Sequence, residues 1–304
     1  MTDSPTGHNV LILDGAAATE LRRAGMSISP PWWSTRALLT DANRQVLRTL
    51  HEGYIRAGAR VCTTNTFRSN LRALNQTRLD GAGQAWMVHA AVGVAAAAHH
   101  ETGGDPDVLL AGSIGPAEDC YRPDLVPSDD DLRAEHGWLV QQLSRSGVRL
   151  YLIETMNTVR EARIALEQVS AADGRAWVSF ACADGARLLS GERLIDAVRA
   201  VTADGAEAVL VNCTSPEQTE TCLATLRESW SGVLGAYPNI EDRSAVAEGG
   251  HVDEPIPSAL GPEEFAELMA GWRADYDLRI LGGCCGASPA HVSALSRLLV
   301  DAAV

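Results

Sequence analysis

The sequence predicts a single (β/α)8 TIM barrel spanning residues 1–304. Three observations carry that expectation. Eight short apolar runs recur along the chain, each followed by a loop and an amphipathic stretch. A length of 304 residues is long for an ordinary domain but normal for one closed barrel. Polar and sulfur-bearing residues gather just past the ends of the runs, the face on which a barrel carries its active site.

In order, the runs are residues 10–13, 60–64, 108–112, 150–154, 177–181, 208–212, 233–236 and 278–281. Their unbroken apolar character suits parallel strands buried on both faces. Residues 41–58 place Val46, Leu47, Leu50, Tyr54 and Ala57 on one helical face. Thr158 with Glu161, and Ser215 with Gln218 around Pro216, read as capping boxes that open helices. Phe265, Leu268, Met269 and Trp272 form an apolar stripe after Pro262, and Val292, Leu295, Leu298 and Leu299 another after Ser288-Pro289. Two connections are long, residues 116–131 and 238–261, and such loops are candidate lids. No GxGxxG follows the first run, which argues against an open dinucleotide-binding sheet.

Hydrophobic residues make up 46% of the chain and charged residues 21%, a profile that supports a large globular core. A net charge of -14 argues against nucleic-acid binding, which needs clustered Lys and Arg. No apolar run reaches membrane-spanning length, and residues 1–9 lack a signal-peptide core, so a cytoplasmic location is expected. The seven cysteines, an odd number, then read as thiols, some of them metal or catalytic candidates.

Cys284 and Cys285 lie in Gly282-Gly-Cys-Cys-Gly286, after the eighth run. Adjacent cysteines rarely bond to each other because the ring is strained. The flanking glycines allow a tight turn that aims both sulfurs at one centre. Cys213 ends the sixth run, and in a barrel only the seventh strand separates those two ends. Three thiolates with an open fourth position make a catalytic zinc site rather than a closed structural one. Zinc holds a substrate thiol as thiolate at neutral pH, so alkyl transfer to sulfur is the expected chemistry. Cys62, Cys120, Cys182 and Cys222 read as buried structural residues.

Asp14 and Glu154 follow the first and fourth runs on the same face. Two carboxylates there can hold an ammonium group such as an amino acid's α-amine. They can also cap helices, pair with Arg, or act as a general acid and base. A metal-activated thiol needs no base, which favours the ammonium role.

Several stretches carry a family pattern: Leu13-Asp-Gly-Ala-Ala-Ala-Thr-Glu-Leu21, Thr63-Thr-Asn-Thr-Phe67, Gly112-Ser-Ile-Gly-Pro116, Glu154-Thr155, Val211-Asn-Cys213, Tyr237-Pro-Asn239 and Gly282-Gly-Cys-Cys-Gly286. Together they resemble the zinc-dependent homocysteine S-methyltransferases, a family that includes betaine–homocysteine methyltransferase and the homocysteine module of methionine synthase. The stretches run in order over nearly the whole chain, and the Asn-Cys plus Gly-Gly-Cys-Cys combination is the specific part. The resemblance implies a (β/α)8 barrel, Zn2+ on Cys213, Cys284 and Cys285, and the homocysteine amine on Asp14 and Glu154. It also implies in-line methyl transfer from an onium donor. Thr64, Asn65, Phe67, Ser113, Asn212, Tyr237 and Asn239 are the matching candidates for substrate contact. Phe67, Tyr237, Trp32 and Trp33 are candidate walls for the donor cation.

The implied partners are small molecules: homocysteine and a sulfonium donor, S-methylmethionine first and S-adenosylmethionine second, with methionine as product. Arg68 departs from the pattern, because betaine enzymes carry Tyr after the Phe and sulfonium users tend to carry Gln. Arg68 either points away from the donor or pairs with a carboxylate on it. No cobalamin- or folate-binding segment is expected after the eighth helix. Two other readings use the same metal site: methyl transfer to another thiol or a selenol, and a non-enzymatic zinc-binding barrel.

Overall fold

The runs form strands because their side chains are apolar on both faces of the sheet. In the computed structural model, Leu13, Val61, Leu152, Trp177, Leu210 and Ile280 pack together inside the barrel. The alternate residues Ile153, Val178, Phe180, Val209, Val211 and Leu281 pack outward against helices. Trp177 is fully buried in the inner layer, where truncation to Ala costs about 3–5 kcal/mol. The structure describes residues 10–242, 244 and 255–301; the expectations for residues 1–9 and for the middle of the 238–261 connection lie outside them.

The barrel strands are β1 (Leu11–Ile12), β2 (Val61–Thr63), β3 (Leu109–Ile114), β4 (Leu150–Met156) and β5 (Arg175–Phe180), followed, after a hairpin of β6 (Cys182–Ala183) and β7 (Arg187–Leu188), by β8 (Ala208–Asn212), β9 (Leu234–Tyr237) and β10 (Ile280–Leu281). The sheet order is β1-β10-β9-β8-β5-β4-β3-β2, and the pairs are parallel. A parallel bridge between Leu13 and Val61 joins its two edges and closes the barrel.

Helices fill each crossover: α1 (Ala17–Arg23) and α2 (Asp41–Arg56), α3 (Leu71–Leu74) and α4 (Gly81–Glu101), α5 (Asp129–Arg145), α6 (Val159–Ala171), α7 (Leu194–Ala203), α8 (Pro216–Ser229), α9 (Pro262–Tyr276) and α10 (Pro289–Asp301). The fold is thus the (β/α)8 barrel read from the sequence. The β6–β7 hairpin was not expected, because two-residue strands leave no periodic signal.

The two expected capping boxes form only half. Thr158 accepts from the Glu161 amide at 3.3 Å and Ser215 from the Gln218 amide at 3.4 Å. The return bonds are replaced by tertiary ones. The Glu161 carboxylate accepts from the Ala117 amide at 2.7 Å and meets His136 Nε2 at 3.0 Å. Gln218 donates to Asp184 at 2.7 Å. Glu161 thereby anchors the β3–α5 loop over the barrel mouth.

Candidate active site

Thiols, carboxylates and aromatic rings meet at the C-terminal ends of the strands, around a cavity of about 270 Å³. Cys213, Cys284 and Cys285 each offer a sulfur, and the three sulfurs lie within 4.8 Å of one another. The Cys284 and Cys285 sulfurs are 3.9 Å apart, and all three cysteines are half-buried free thiols. Cys213 adopts left-handed backbone (φ 48°), a conformation that costs about 1–2 kcal/mol for a side chain with a Cβ. Gly283 has to be glycine, since a Cβ there would lie 2.1 Å from that of Ala287. The Cys284 amide donates to Pro238 O at 3.0 Å, tying the two loops that carry the site. Contacts with Cys213 and Cys285, and then burial, push the Cys284 thiol well above its usual range. A soft divalent cation reverses that by taking the sulfurs as thiolates, and three grouped sulfur donors fit Zn2+.

Asp14 and Glu154 both line the same cavity. Alternation along β4 places Leu150 and Leu152 inside the barrel, so Glu154 faces the cavity floor. It accepts from the Ser113 hydroxyl and from Tyr237 Oη, the latter at 3.2 Å. Burial pushes its carboxyl up to about 7, and the two hydroxyls only partly offset this. Asp14 accepts from the Thr63 amide at 2.7 Å and from its hydroxyl at 2.9 Å. Burial still raises Asp14 to about 8, with the Thr63 bonds opposing. Two hydrogen-bonded carboxylates held in so dry a place favour a cationic guest.

Of the other candidates, Thr64, Asn65, Phe67, Ser113 and Tyr237 line the cavity. Asn212 and Asn239 do not. Asn212 is fully buried beneath the floor; its carbonyl accepts from the Thr155 amide at 3.0 Å and from the Ser179 hydroxyl at 2.6 Å. It thereby pins the left-handed Thr155 (φ 60°), where the β4–β5 register shifts. Asn239 accepts from the Glu241 amide at 2.9 Å and shapes its own loop. Trp33 lines the cavity, whereas Trp32 packs against the hydrophobic cluster around Leu21 and Leu38. Arg68 does not point away: it lines the cavity too.

Arg22 and Tyr121, which were not singled out from the sequence, also line the cavity, and so does Cys120, which read as a structural cysteine and is buried but reaches the cavity wall. They sit on α1 and on the β3–α5 loop, where no periodicity or motif marks them. Asn157 holds that loop by donating to Cys120 O at 3.0 Å. A second group, Asp14, His51 and Cys62, also lies within 4.8 Å, but it is closed. Both Asp14 oxygens are bonded to Thr63, and His51 Nδ1 meets the Cys62 sulfur at 3.3 Å. Among the described residues, no helix is long and apolar enough to cross a membrane.

The family model for homocysteine S-methyltransferase matches residues 11–299. Homocysteine S-methyltransferase of Escherichia coli (strain K12) is 30% identical over 300 residues, covering 94% of each chain. Selenocysteine Se-methyltransferase of Brassica oleracea var. italica is 25% identical and covers 95% of this chain and 90% of its own. The crystal structure of the homocysteine methyltransferase MmuM from Escherichia coli in its metallated form superposes with a TM-score of 0.81 at 28% identity, covering 96% of both chains. By descent along its length and by the geometry at its barrel mouth, the chain belongs to the homocysteine S-methyltransferase family.

Proposed function

We propose that the protein transfers a methyl group from a sulfonium donor to the sulfur of homocysteine, giving methionine. The carrying observation is that three grouped cysteine sulfurs and two buried carboxylates line one small cavity. Cys213, Cys284 and Cys285 would hold Zn2+. When bound, zinc would supply the Lewis acidity that keeps a substrate thiol ionised at neutral pH. The Escherichia coli relative has a metallated form, which supports metal binding by this chain, and the cysteine triplet is the donor set suited to it.

Asp14 and Glu154 hold the α-ammonium of homocysteine, with Ser113 and Tyr237 orienting Glu154 and Thr63 orienting Asp14. Thr64, Asn65 and Phe67 complete the wall around the substrates, while Asn212 and Asn239 act only by positioning the strand ends. The substrate sulfur attacks the donor methyl carbon; a new S–CH3 bond forms as the old one breaks. The electron pair of the broken bond stays on the donor sulfur, which becomes a neutral thioether. S-Methylmethionine is the first donor in this reading and S-adenosylmethionine the second. The site works in the cytoplasm as a barrel acting on small molecules.

Incubation of backbone-labelled homocysteine with unlabelled S-methylmethionine tests the reading. Methionine carrying the label is expected, and its absence with every sulfonium donor would overturn it. The Brassica relative's name favours a second acceptor, a selenol. Competition between homocysteine and selenocysteine for one labelled donor ranks the two.

A further inference from the structure

Arg68 follows β2 and puts a fixed positive charge into the cavity wall. Its guanidinium carbon lies 5.2 Å from the ring centroid of Trp33 and 5.2 Å from that of Phe67. Both rings line the same cavity, so the aromatic faces able to take an incoming cation already carry one from the chain itself. Two further contacts fix the group: it donates to Glu118 O at 2.7 Å and to the Cys120 sulfur at 3.5 Å.

Neither contact neutralises it. The Glu118 acceptor is a backbone carbonyl, and the Glu118 carboxylate is paired with Arg72 at 2.6 Å. Burial holds Cys120 as a thiol, its value pushed up to about 11. Among the described residues Arg68 forms no ion pair. An onium donor therefore meets a like charge held in the wall by these contacts, unless the donor brings an anion of its own.

We infer that Arg68 is the specificity-determining residue for the methyl donor, selecting onium compounds that also carry a carboxylate. Resting on the methyltransferase reading above, the assignment is as follows. The donor carboxylate accepts from guanidinium hydrogens not used by Glu118 and Cys120, and the onium centre is turned from Arg68 toward the three cysteines. Arg is suited to this because its plane stacks on the rings while its edge stays available for a carboxylate.

The test compares S-methylmethionine with its carboxamide, at saturating homocysteine, on zinc-loaded wild type, Arg68→Gln and Arg68→Lys. For the wild type, the carboxylate donor is expected to show a KM about tenfold below the amide, with similar kcat. In Arg68→Gln that ratio collapses toward one, while homocysteine KM and zinc content stay put; Arg68→Lys restores part of it. An Arg68→Gln enzyme that keeps the wild-type ratio would overturn the assignment. If that variant fails to fold, equal KM values for the two donors on the wild type would do the same. Activity with unchanged discrimination sinks the role of Arg68 alone, whereas a wild type inactive with every donor sinks the methyltransferase reading as well.

Discussion

Tyr237 donates its hydroxyl hydrogen to Glu154 at 3.2 Å, although β8 and β5 stand between their strands in the sheet. The contact spans the barrel mouth and holds a buried carboxylate toward the cavity. Losing the hydroxyl removes one of the two donors that keep Glu154 ionised. Tyr237→Phe is expected to raise the homocysteine KM about three- to tenfold, and Glu154→Gln about ten- to a hundredfold. Zinc content should be unchanged in both, as metal analysis beside steady-state kinetics would check.

Homocysteine binding should weaken as pH falls. Burial raises Glu154 to about 7 and Asp14 to about 8, so protons compete with the ammonium group below those values. The expected homocysteine KM rises below pH 7 by up to about tenfold per unit for each proton displaced. A KM flat from pH 8 to pH 5.5 would remove both carboxylates from the amine site.

The same burial carries a stability cost. Unfolded Asp14 titrates near the ordinary aspartate value of 3.8, while burial in the fold raises it to about 8, so the native state holds an extra proton between these values. Stability contributed by this group therefore falls as pH rises from about 4 to 8. Asp14→Asn should stabilise the ligand-free protein by on the order of 1–3 kcal/mol at pH 8.5, the gap closing toward pH 4. Thermal melts at both pH values read this directly, and the same variant should bind homocysteine poorly.

Gly115 packs against Phe67, which lines the cavity. A Cβ there would lie 2.7 Å from the Phe67 ring and 2.8 Å from its backbone oxygen, so Phe67 has to move. Gly115→Ala is expected to cost about 1–3 kcal/mol and to raise the donor KM more than the homocysteine KM. Denaturant unfolding and a two-substrate kinetic grid would separate the two effects.

The barrel was legible because its strands are unbroken apolar runs at regular intervals, and the cysteine triplet because its residues stand just past strand ends, two of them among glycines. The polar residues at those ends were harder to sort. Asn212 and Ser113 look alike in sequence, yet only Ser113 lines the cavity, because Asn212 is held under the floor by Thr155 and Ser179. Glu161 read as a local cap and instead reaches Ala117 in a loop above the mouth. Arg68 and Trp33 could not be joined in advance, since cation–π stacking between separate loops leaves no spacing in the chain.

The most direct test of the central claim is zinc content and methionine formation measured together, on the wild type and on Cys213→Ser, Cys284→Ser and Cys285→Ser. The expected result is about one zinc per wild-type chain with labelled methionine formed. Each variant should lose both while keeping the wild-type circular dichroism. A folded variant that keeps its zinc and full turnover would contradict the assignment of that cysteine, and a wild type active without any bound metal would contradict the account as a whole.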